Sequence, residues 1–363
     1  MSSETDVNKF LNSIELAAIG LPLHEVGRVI SASVNGTTAS VALEIGFPAT
    51  SILNDMRSEI SDKLHTHFGV ESADVDITTK ISAHAVQGSL KPVPGIKNII
   101  AIASGKGGVG KSTVAVNVAL ALAAEGAAVG ILDADIYGPS QPHMLGLTGE
   151  KPVSEDGKTM LPLKGHGLQV MSIGFLVNPD QPMVWRGPMV TSALNQLMYQ
   201  TRWEALDYLI VDMPPGTGDI QLTLSQKVPV SGAVIVTTPQ NIATLDARKG
   251  LAMFRKVSIS VLGVVENMST YICSSCGHEE AIFGQGGAQQ IVDDFDVPLL
   301  GQLPLAAHIR EQTDSGVPTV LSDPASSAAG AYRMVAIRIA AAQAAKKADY
   351  RSKFGSIVVE GKQ

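Results

Sequence analysis

Residues Gly105–Thr113 read Gly-Lys-Gly-Gly-Val-Gly-Lys-Ser-Thr, between an apolar run at Asn98–Ser104 and an alanine- and leucine-rich run at Val114–Glu125. Strand, glycine loop and helix in that order leave few folds open, because the loop must turn a buried strand directly into a helix. Gly105, Gly107, Gly108 and Gly110 let the backbone curl until its N–H groups converge beside the positive end of the helix dipole, a cradle for phosphate. The run fits G-x-x-x-x-G-K-[ST], with Gly105, Gly110, Lys111 and Ser112 at the prescribed positions. Lys111 is then expected to reach the β- and γ-phosphates of a nucleotide, and the Ser112 hydroxyl to ligate Mg²⁺. Lys106, Val109 and Thr113 complete the loop as further nucleotide contacts.

From Lys97 onward, apolar runs alternate with helical ones. Strands are expected at Ile99–Ala103, Ala128–Leu132, Leu168–Ile173, Tyr208–Val211, Ala233–Thr237, Val261–Val265 and Leu299–Leu303, with a helix at Thr244–Phe254 among those between them. Aromatics are only 4% of the 363 residues, so small-residue helices on a parallel sheet fit better than an aromatic sandwich. The expected fold is α/β, a doubly wound, mostly parallel sheet over residues 97–345, with its ligand at the carboxyl ends of the strands.

Ahead of it, residues 1–83 read as a small α/β unit. A helix is expected at Asp6–Ala17 with Val7, Phe10, Leu11 and Ile14 on one face. A hairpin follows: Val26–Val34, with Val26, Ile30, Ala32 and Val34 on one side, the turn Asn35-Gly36, and Thr37–Ile45 with Ala39, Val41, Leu43 and Ile45 inward. Pro48 opens a helix to about His67 carrying Ile52, Met56, Ile60 and Leu64, and Ser72–Ile81 is a last strand. Residues 84–96, rich in proline and glycine, read as a linker. Residues 346–363 form a polar tail expected to be poorly ordered.

Further candidates cluster at the expected strand ends. Leu132–Ser140 (LDADIYGPS) places Asp133 and Asp135 beside the phosphates, although the same letters also suit a solvated turn. Tyr208–Asp219 (YLIVDMPPGTGD) is an apolar run ending in Asp212, which fits a carboxylate holding Mg²⁺ through water. Its glycines and proline pair fit a mobile loop sensitive to the γ-phosphate. No role falls to Asp219. Asn267, after the sixth strand, offers the amide donor and acceptor that an adenine edge asks for, or else caps a turn. Pro304 and Leu305 would flank the base.

Both cysteines of the chain, Cys273 and Cys276, stand in one C-x-x-C. The spacing suits Zn²⁺ or an iron–sulfur cluster and does not choose between them. A zinc half-knuckle with His278 lacks a fourth ligand nearby. A thioredoxin-like redox pair would follow the first strand of its fold, not the sixth. Ser-Ser and Gly-His neighbours are unlike an inert core. A net charge of −7 argues against nucleic acid as the main partner. No uncharged apolar stretch reaches the roughly 18 residues of a spanning helix. Met1–Phe10 has no apolar core for a signal peptide, and the tail has no membrane-surface stripe. The expected location is the cytoplasm, with no membrane partner.

The pattern K-G-G-x-G-K-[ST], with its early lysine Lys106, resembles the deviant Walker A motif of the MinD/ParA/Mrp ATPases. The resemblance implies that Lys106 reaches a partner's nucleotide in an ATP-sandwich homodimer, and that Asp135 positions the attacking water while Asp133 supports the magnesium region. Asn267 resembles the base-reading asparagine of that class. With no arginine finger in view, hydrolysis is expected to be slow and gated by the dimer. Residues 1–83 resemble the small domain found in iron–sulfur assembly factors. Gly46-Phe47-Pro48 lacks the cysteine that some of them carry, so the unit reads as a docking element. Glu266–Ser269 (ENMS), the cysteine pair, Ile282–Gly287 (IFGQGG), Leu300–Pro304 (LGQLP), His308–Glu311 (HIRE), Asp314–Pro318 (DSGVP) and Val184–Pro188 (VWRGP) resemble the Mrp/ApbC group of iron–sulfur carrier ATPases, from about residue 20 to 345. That implies a homodimer holding one [4Fe–4S] cluster between Cys273 and Cys276 of two subunits, with apo iron–sulfur proteins as recipients. The alternatives are a MinD/ParA-type positioning ATPase and an ATP-gated scaffold with a structural zinc clasp.

Overall fold

The computed structural model describes residues 4–87, 90–176 and 187–346. The first part of the VWRGP segment and the tail beyond Lys346 lie outside the described residues.

The small unit runs α1 (Glu4–Ser13), β1 (Gly27–Asn35), β2 (Thr38–Ile45), α2 (Leu53–Phe68) and β3 (Ser72–Thr79). In its sheet β2 is central, antiparallel to β1 and parallel to β3. Ala39, Val41, Leu43 and Ile45 are buried as their alternation requires, and Ile52, Met56, Ile60 and Leu64 face them from α2 and the turn before it. Two expectations need correction. The first helix stops at Ser13 rather than Ala17, with the Ser13 hydroxyl bonded to the Phe10 carbonyl (2.7 Å); Glu15–Leu16 then pairs as a short strand with Leu21–Pro22. Ile30 is 52% exposed, not inward, because the β1–β2 register shifts between Val29 and Ser31 and turns its side chain to the other face.

The large unit is an eight-stranded sheet. Its strands are β4 (Ile96–Ser104), β5 (Val129–Asp133), β6 (Leu163–Gly165), β7 (Leu168–Ser172), β8 (Leu206–Asp212), β9 (Gly232–Thr237), β10 (Val261–Glu266) and, beyond a small hairpin of β11 (Tyr271–Ile272) and β12 (Glu279–Glu280), β13 (Leu299–Gln302). The order is β13-β10-β9-β4-β8-β5-β7-β6, parallel except for the edge strand β6. All seven expected strands are present with ends moved by at most three residues, while β6 and the small hairpin are additional. The fold is the doubly wound α/β expected of the sequence. Strand β4 lies between β8 and β9: the chain winds from β4 outward through β5 and β7 on one side and, from β8, through β9, β10 and β13 on the other, so the winding reverses beside β4 and opens a crevice at its carboxyl end.

Helix α3 (Lys111–Ala124) has no polar face: Val114 through Leu122 are all buried, between the sheet and α9 (Ser327–Ala344). Helices α4 (Gly187–Tyr199), α5 (Asp219–Lys227), α6 (Asn241–Lys256), α7 (Gly287–Phe295) and α8 (Ala307–Asp314) complete the layers that the site uses. The segment joining the two units is partly packed. His84, Val86 and Val93 are buried, and His84 Nδ1 donates to Asn98 Oδ1 (2.9 Å) at the foot of β4. The small unit also grips the far end of α3. The Ser51 N–H donates to the buried Glu125 carboxylate (2.7 Å), and the Thr50 hydroxyl donates to the Glu125 carbonyl (2.8 Å). Among the described residues, no helix is long and apolar enough to cross a membrane.

Candidate functional site

The glycine loop leaves β4 at Ser104, whose hydroxyl donates to the Lys106 carbonyl (2.8 Å). Gly108 and Gly110 hold left-handed φ of +82° and +79°, which L side chains avoid. Gly105 is needed for another reason: a Cβ there would lie 2.1 Å from the backbone of Asp246 in α6. Behind the loop, the Asn267 amide donates to the Val109 carbonyl (2.9 Å), and a Cβ on Gly110 would meet that nitrogen at 2.2 Å. Asn267 thus braces the loop, and Met268 beside it is itself left-handed (φ 57°). Lys106 is half-buried at the loop edge, and Lys111 and Ser112 open α3.

Two carboxylates meet this loop. Asp212 ends β8 and Asp133 ends β5, paired in register, so their side chains emerge next to each other at one sheet edge. Both are fully buried. Asp212 is salt-bridged to Lys111, whose ammonium also lies 3.2 Å from the Ser112 hydroxyl. The other Asp212 oxygen accepts from the Gln141 amide (2.8 Å). Asp133 accepts from the N–H groups of Asp135 (3.1 Å), Ser140 (2.9 Å) and Gln141 (3.1 Å) and from the Ser172 hydroxyl (3.1 Å). Burial, and then the charge of Asp212, push the Asp133 carboxyl up to about 7. Burial also raises Asp135. The D-x-D segment is therefore a braced acidic centre, with Asp133 inside and Asp135 facing a cleft of about 780 Å³ lined also by Tyr137, Pro214, Pro215 and Asp219. After Asp212, the Gly216 N–H donates to the Ser104 carbonyl (3.0 Å), tying the Pro-Pro-Gly loop to the end of β4.

A Ser hydroxyl, a buried carboxylate and a lysine converging on a loop of free backbone N–H groups fit a magnesium nucleotide: the hydroxyl and carboxylate are hard oxygen donors, and the lysine can leave for the phosphates.

The cysteines stand on the β11–β12 hairpin. The Cys273 N–H donates to the His278 carbonyl (2.9 Å), and the Gly277 N–H to the Cys273 carbonyl (2.9 Å), with Gly277 left-handed at φ 70°. The resulting knuckle aims the N–H groups of Ser275 and then Cys276 at the Cys273 sulfur and lowers its pKa. Cys273 is half-buried, Cys276 is exposed, and both are free thiols. The hairpin is tied to the segment after β13 by backbone bonds from Leu305 N–H to the Thr270 carbonyl (2.7 Å) and from Ile272 N–H to the Leu305 carbonyl (3.1 Å). Leu305 thus anchors the hairpin. Among the described residues, no group of three or more His, Cys, Asp or Glu side chains is arranged to hold a metal ion.

The structure brings Lys111, Ser112, Asp133, Asp135 and Asp212 into one centre and sets Asn267 against its back. The cysteine pair belongs to a separate hairpin. Sequence reasoning passed over Gln141 and Ser172. Gln141 directly follows the LDADIYGPS run that holds Asp133 and Asp135, but nothing local signals that its amide crosses to β8, 71 residues away.

Residues 95–340 match the ParA family profile described as NUBPL iron-transfer P-loop NTPase. An iron-sulfur cluster carrier protein of Pseudomonas fragi is 59% identical over 270 residues, 74% of this chain and 94% of that protein. The iron-sulfur cluster carrier protein of Escherichia coli K12 is 53% identical over 304 residues, 84% of this chain and 82% of its own. Among solved structures, a nucleotide-binding protein from Archaeoglobus fulgidus in complex with ADP is 37% identical with a TM-score of 0.55, over 61% of this chain and 87% of that one. The chain belongs to the NUBPL iron-transfer P-loop NTPase family.

Proposed function

We propose that the chain is a slow, dimer-gated ATPase that carries a [4Fe–4S] cluster on Cys273 and Cys276 of two subunits and delivers it to apoproteins. The observation that carries the proposal is the knuckle: a lowered Cys273 thiol and an exposed Cys276 on a short hairpin are thiolates presented outward. Two thiolates are half of the usual four-thiolate set, and a two-fold axis through this face would supply the other half. The relatives named as iron-sulfur cluster carriers support the same reading of the cargo.

In the nucleotide site, Gly105, Lys106, Gly107, Gly108, Val109, Gly110, Lys111, Ser112 and Thr113 wrap the phosphates. Ser112 and Asp212 attend Mg²⁺, and Asp133 supports them. Asp135 orients the attacking water from the open cleft. Asn267, whose amide nitrogen braces Val109, is assigned to the adenine by its resemblance to the base-reading asparagine of the MinD/ParA/Mrp ATPases. Lys106 supplies the missing cation to the partner's γ-phosphate. Slow hydrolysis coupled to dimer geometry suits a switch that loads or releases cargo. The small unit at residues 1–83 serves docking, and the proposed setting is the reducing cytoplasm, where free thiols persist.

The test is iron and sulfide per dimer after anaerobic reconstitution. The expected result is four irons and four sulfides per dimer in the wild type, and neither in Cys273→Ser/Cys276→Ser, with AMPPNP binding unchanged. Four irons on each subunit would refute the bridging arrangement, and zinc at one per dimer without sulfide would establish a clasp instead.

A further inference from the structure

Gln141 is wholly buried at the start of a short helix and uses both its backbone and its side chain on the acidic centre. Its N–H donates to Asp133 Oδ2 (3.1 Å). Its amide nitrogen donates to Asp212 Oδ2 (2.8 Å) and to the Ser112 carbonyl (3.2 Å). One residue therefore ties together the ends of β5 and β8 and the first turn of α3. Its remaining polar atom, Oε1, is buried and has no partner. A buried amide oxygen without a donor is costly to keep, because its desolvation is uncompensated.

We infer that Gln141 is a positioning residue for the magnesium ion of the bound nucleotide: it holds one oxygen of Asp212 and offers Oε1 to a metal-bound water. The inference rests on the nucleotide reading proposed above. Lys111 is paired with Asp212 Oδ1 and lies beside the Ser112 hydroxyl. When Lys111 leaves for the β- and γ-phosphates, Oδ1 and that hydroxyl are uncovered together, where a hydrated Mg²⁺ belongs. Oδ2 stays on the Gln141 amide, so the carboxylate cannot rotate away, and its free oxygen keeps its aim. Mg²⁺ keeps several of its waters when protein-bound, and each is a strong donor. Oε1 is the acceptor provided for one of them.

The experiment measures AMPPNP affinity by calorimetry, with Mg²⁺ and with EDTA, for the wild type, Gln141→Leu and Gln141→Asn. Leucine keeps the volume and loses both polar atoms. Asparagine keeps the amide but shortens its reach. Neither disturbs the backbone N–H on Asp133. Both variants are expected to bind AMPPNP in EDTA within about twofold of the wild type. The gain on adding Mg²⁺ should shrink by about tenfold, the size of one hydrogen bond to a charged group. Lys111→Ala, by contrast, should weaken binding in both conditions. Thermal unfolding of the variants identifies any that fails to fold, in which case the other decides. A full Mg²⁺ gain in a folded variant overturns the inference, and so does an equal loss with and without Mg²⁺, which would make Gln141 a packing residue only. A wild type that binds no nucleotide overturns the parent reading and this inference with it.

Discussion

Alanine at Gly105, Gly107 and Gly108 of the phosphate loop should separate three physical situations that look alike in the sequence. At Gly105 a new Cβ would lie 2.1 Å from the Asp246 carbonyl carbon, 2.2 Å from its oxygen and 2.6 Å from the Ala247 nitrogen. All three are backbone atoms inside α6, so no side chain can rotate to make room. Either α6 or the loop must move, at an overpacking cost of about 1–3 kcal/mol. At Gly108 nothing lies within 4 Å, but φ is +82°, and a left-handed alanine costs about 1–2 kcal/mol. At Gly107 neither penalty applies: the space is open and φ is not in the left-handed region. The expected order of stability in the nucleotide-free protein is Gly107→Ala near wild type, then Gly108→Ala, then Gly105→Ala. At about 2–4 °C per kcal/mol, the last should melt several degrees below the first. Differential scanning calorimetry with matched denaturant unfolding reads this directly. A Gly105→Ala protein as stable as Gly107→Ala would refute the claim that close approach to α6, rather than backbone freedom, demands glycine there.

Two further outcomes follow from the acidic centre and the early lysine. Lys106→Ala should spare AMPPNP binding and cut ATP hydrolysis; mixed with Asp135→Ala, it should recover activity, because a mixed dimer keeps one composite site with neither defect if Lys106 acts on the partner's nucleotide. No recovery, with mixed dimers shown to form, would count against that role. In metal-free protein, Asp133 rises to about 7 from its ordinary 3.8, so between those values the folded state holds a proton that the unfolded chain releases. Stability is then lost as pH rises through that interval and levels above it. Melting temperature should fall between pH 5 and roughly pH 7.5, and fall less in Asp133→Asn; an unchanged slope in the variant would show that the carboxyl is not the source.

Much of the architecture was legible because it is written in short-range patterns. The glycine spacing before Lys111 dictated a loop between strand and helix. The apolar runs ending in Asp133 and Asp212 put carboxylates at strand ends, because a residue that follows a buried strand emerges at its carboxyl edge. The two-residue alternation of Thr38–Ile45 and the helical spacing of Ile52, Met56, Ile60 and Leu64 named the core face of the small unit before any packing was known. Where a local rule was broken, reading failed. A register shift in β1 turned Ile30 outward, and α1 stops at Ser13, where the chain goes on to pair Glu15–Leu16 with Leu21–Pro22.

The sequence by itself determined which residue types the candidate site contains, the loop with its lysines, a serine hydroxyl and three aspartates, and set one cysteine pair apart from them. Tertiary structure decided how they meet. That Asp133 stands beside Asp212 depends on strand order, which places β5 against β8 although the two aspartates are 79 positions apart in the chain. That Gln141 holds Asp212, that Asn267 braces Val109, and that the small unit clamps Glu125 at the far end of α3 are contacts between segments with no shared local pattern. Periodicity and turn chemistry act over a few residues, so the chain can encode each element locally. Desolvation and hydrogen bonding among buried polar groups act through space, and only the packed sheet brings those groups within reach.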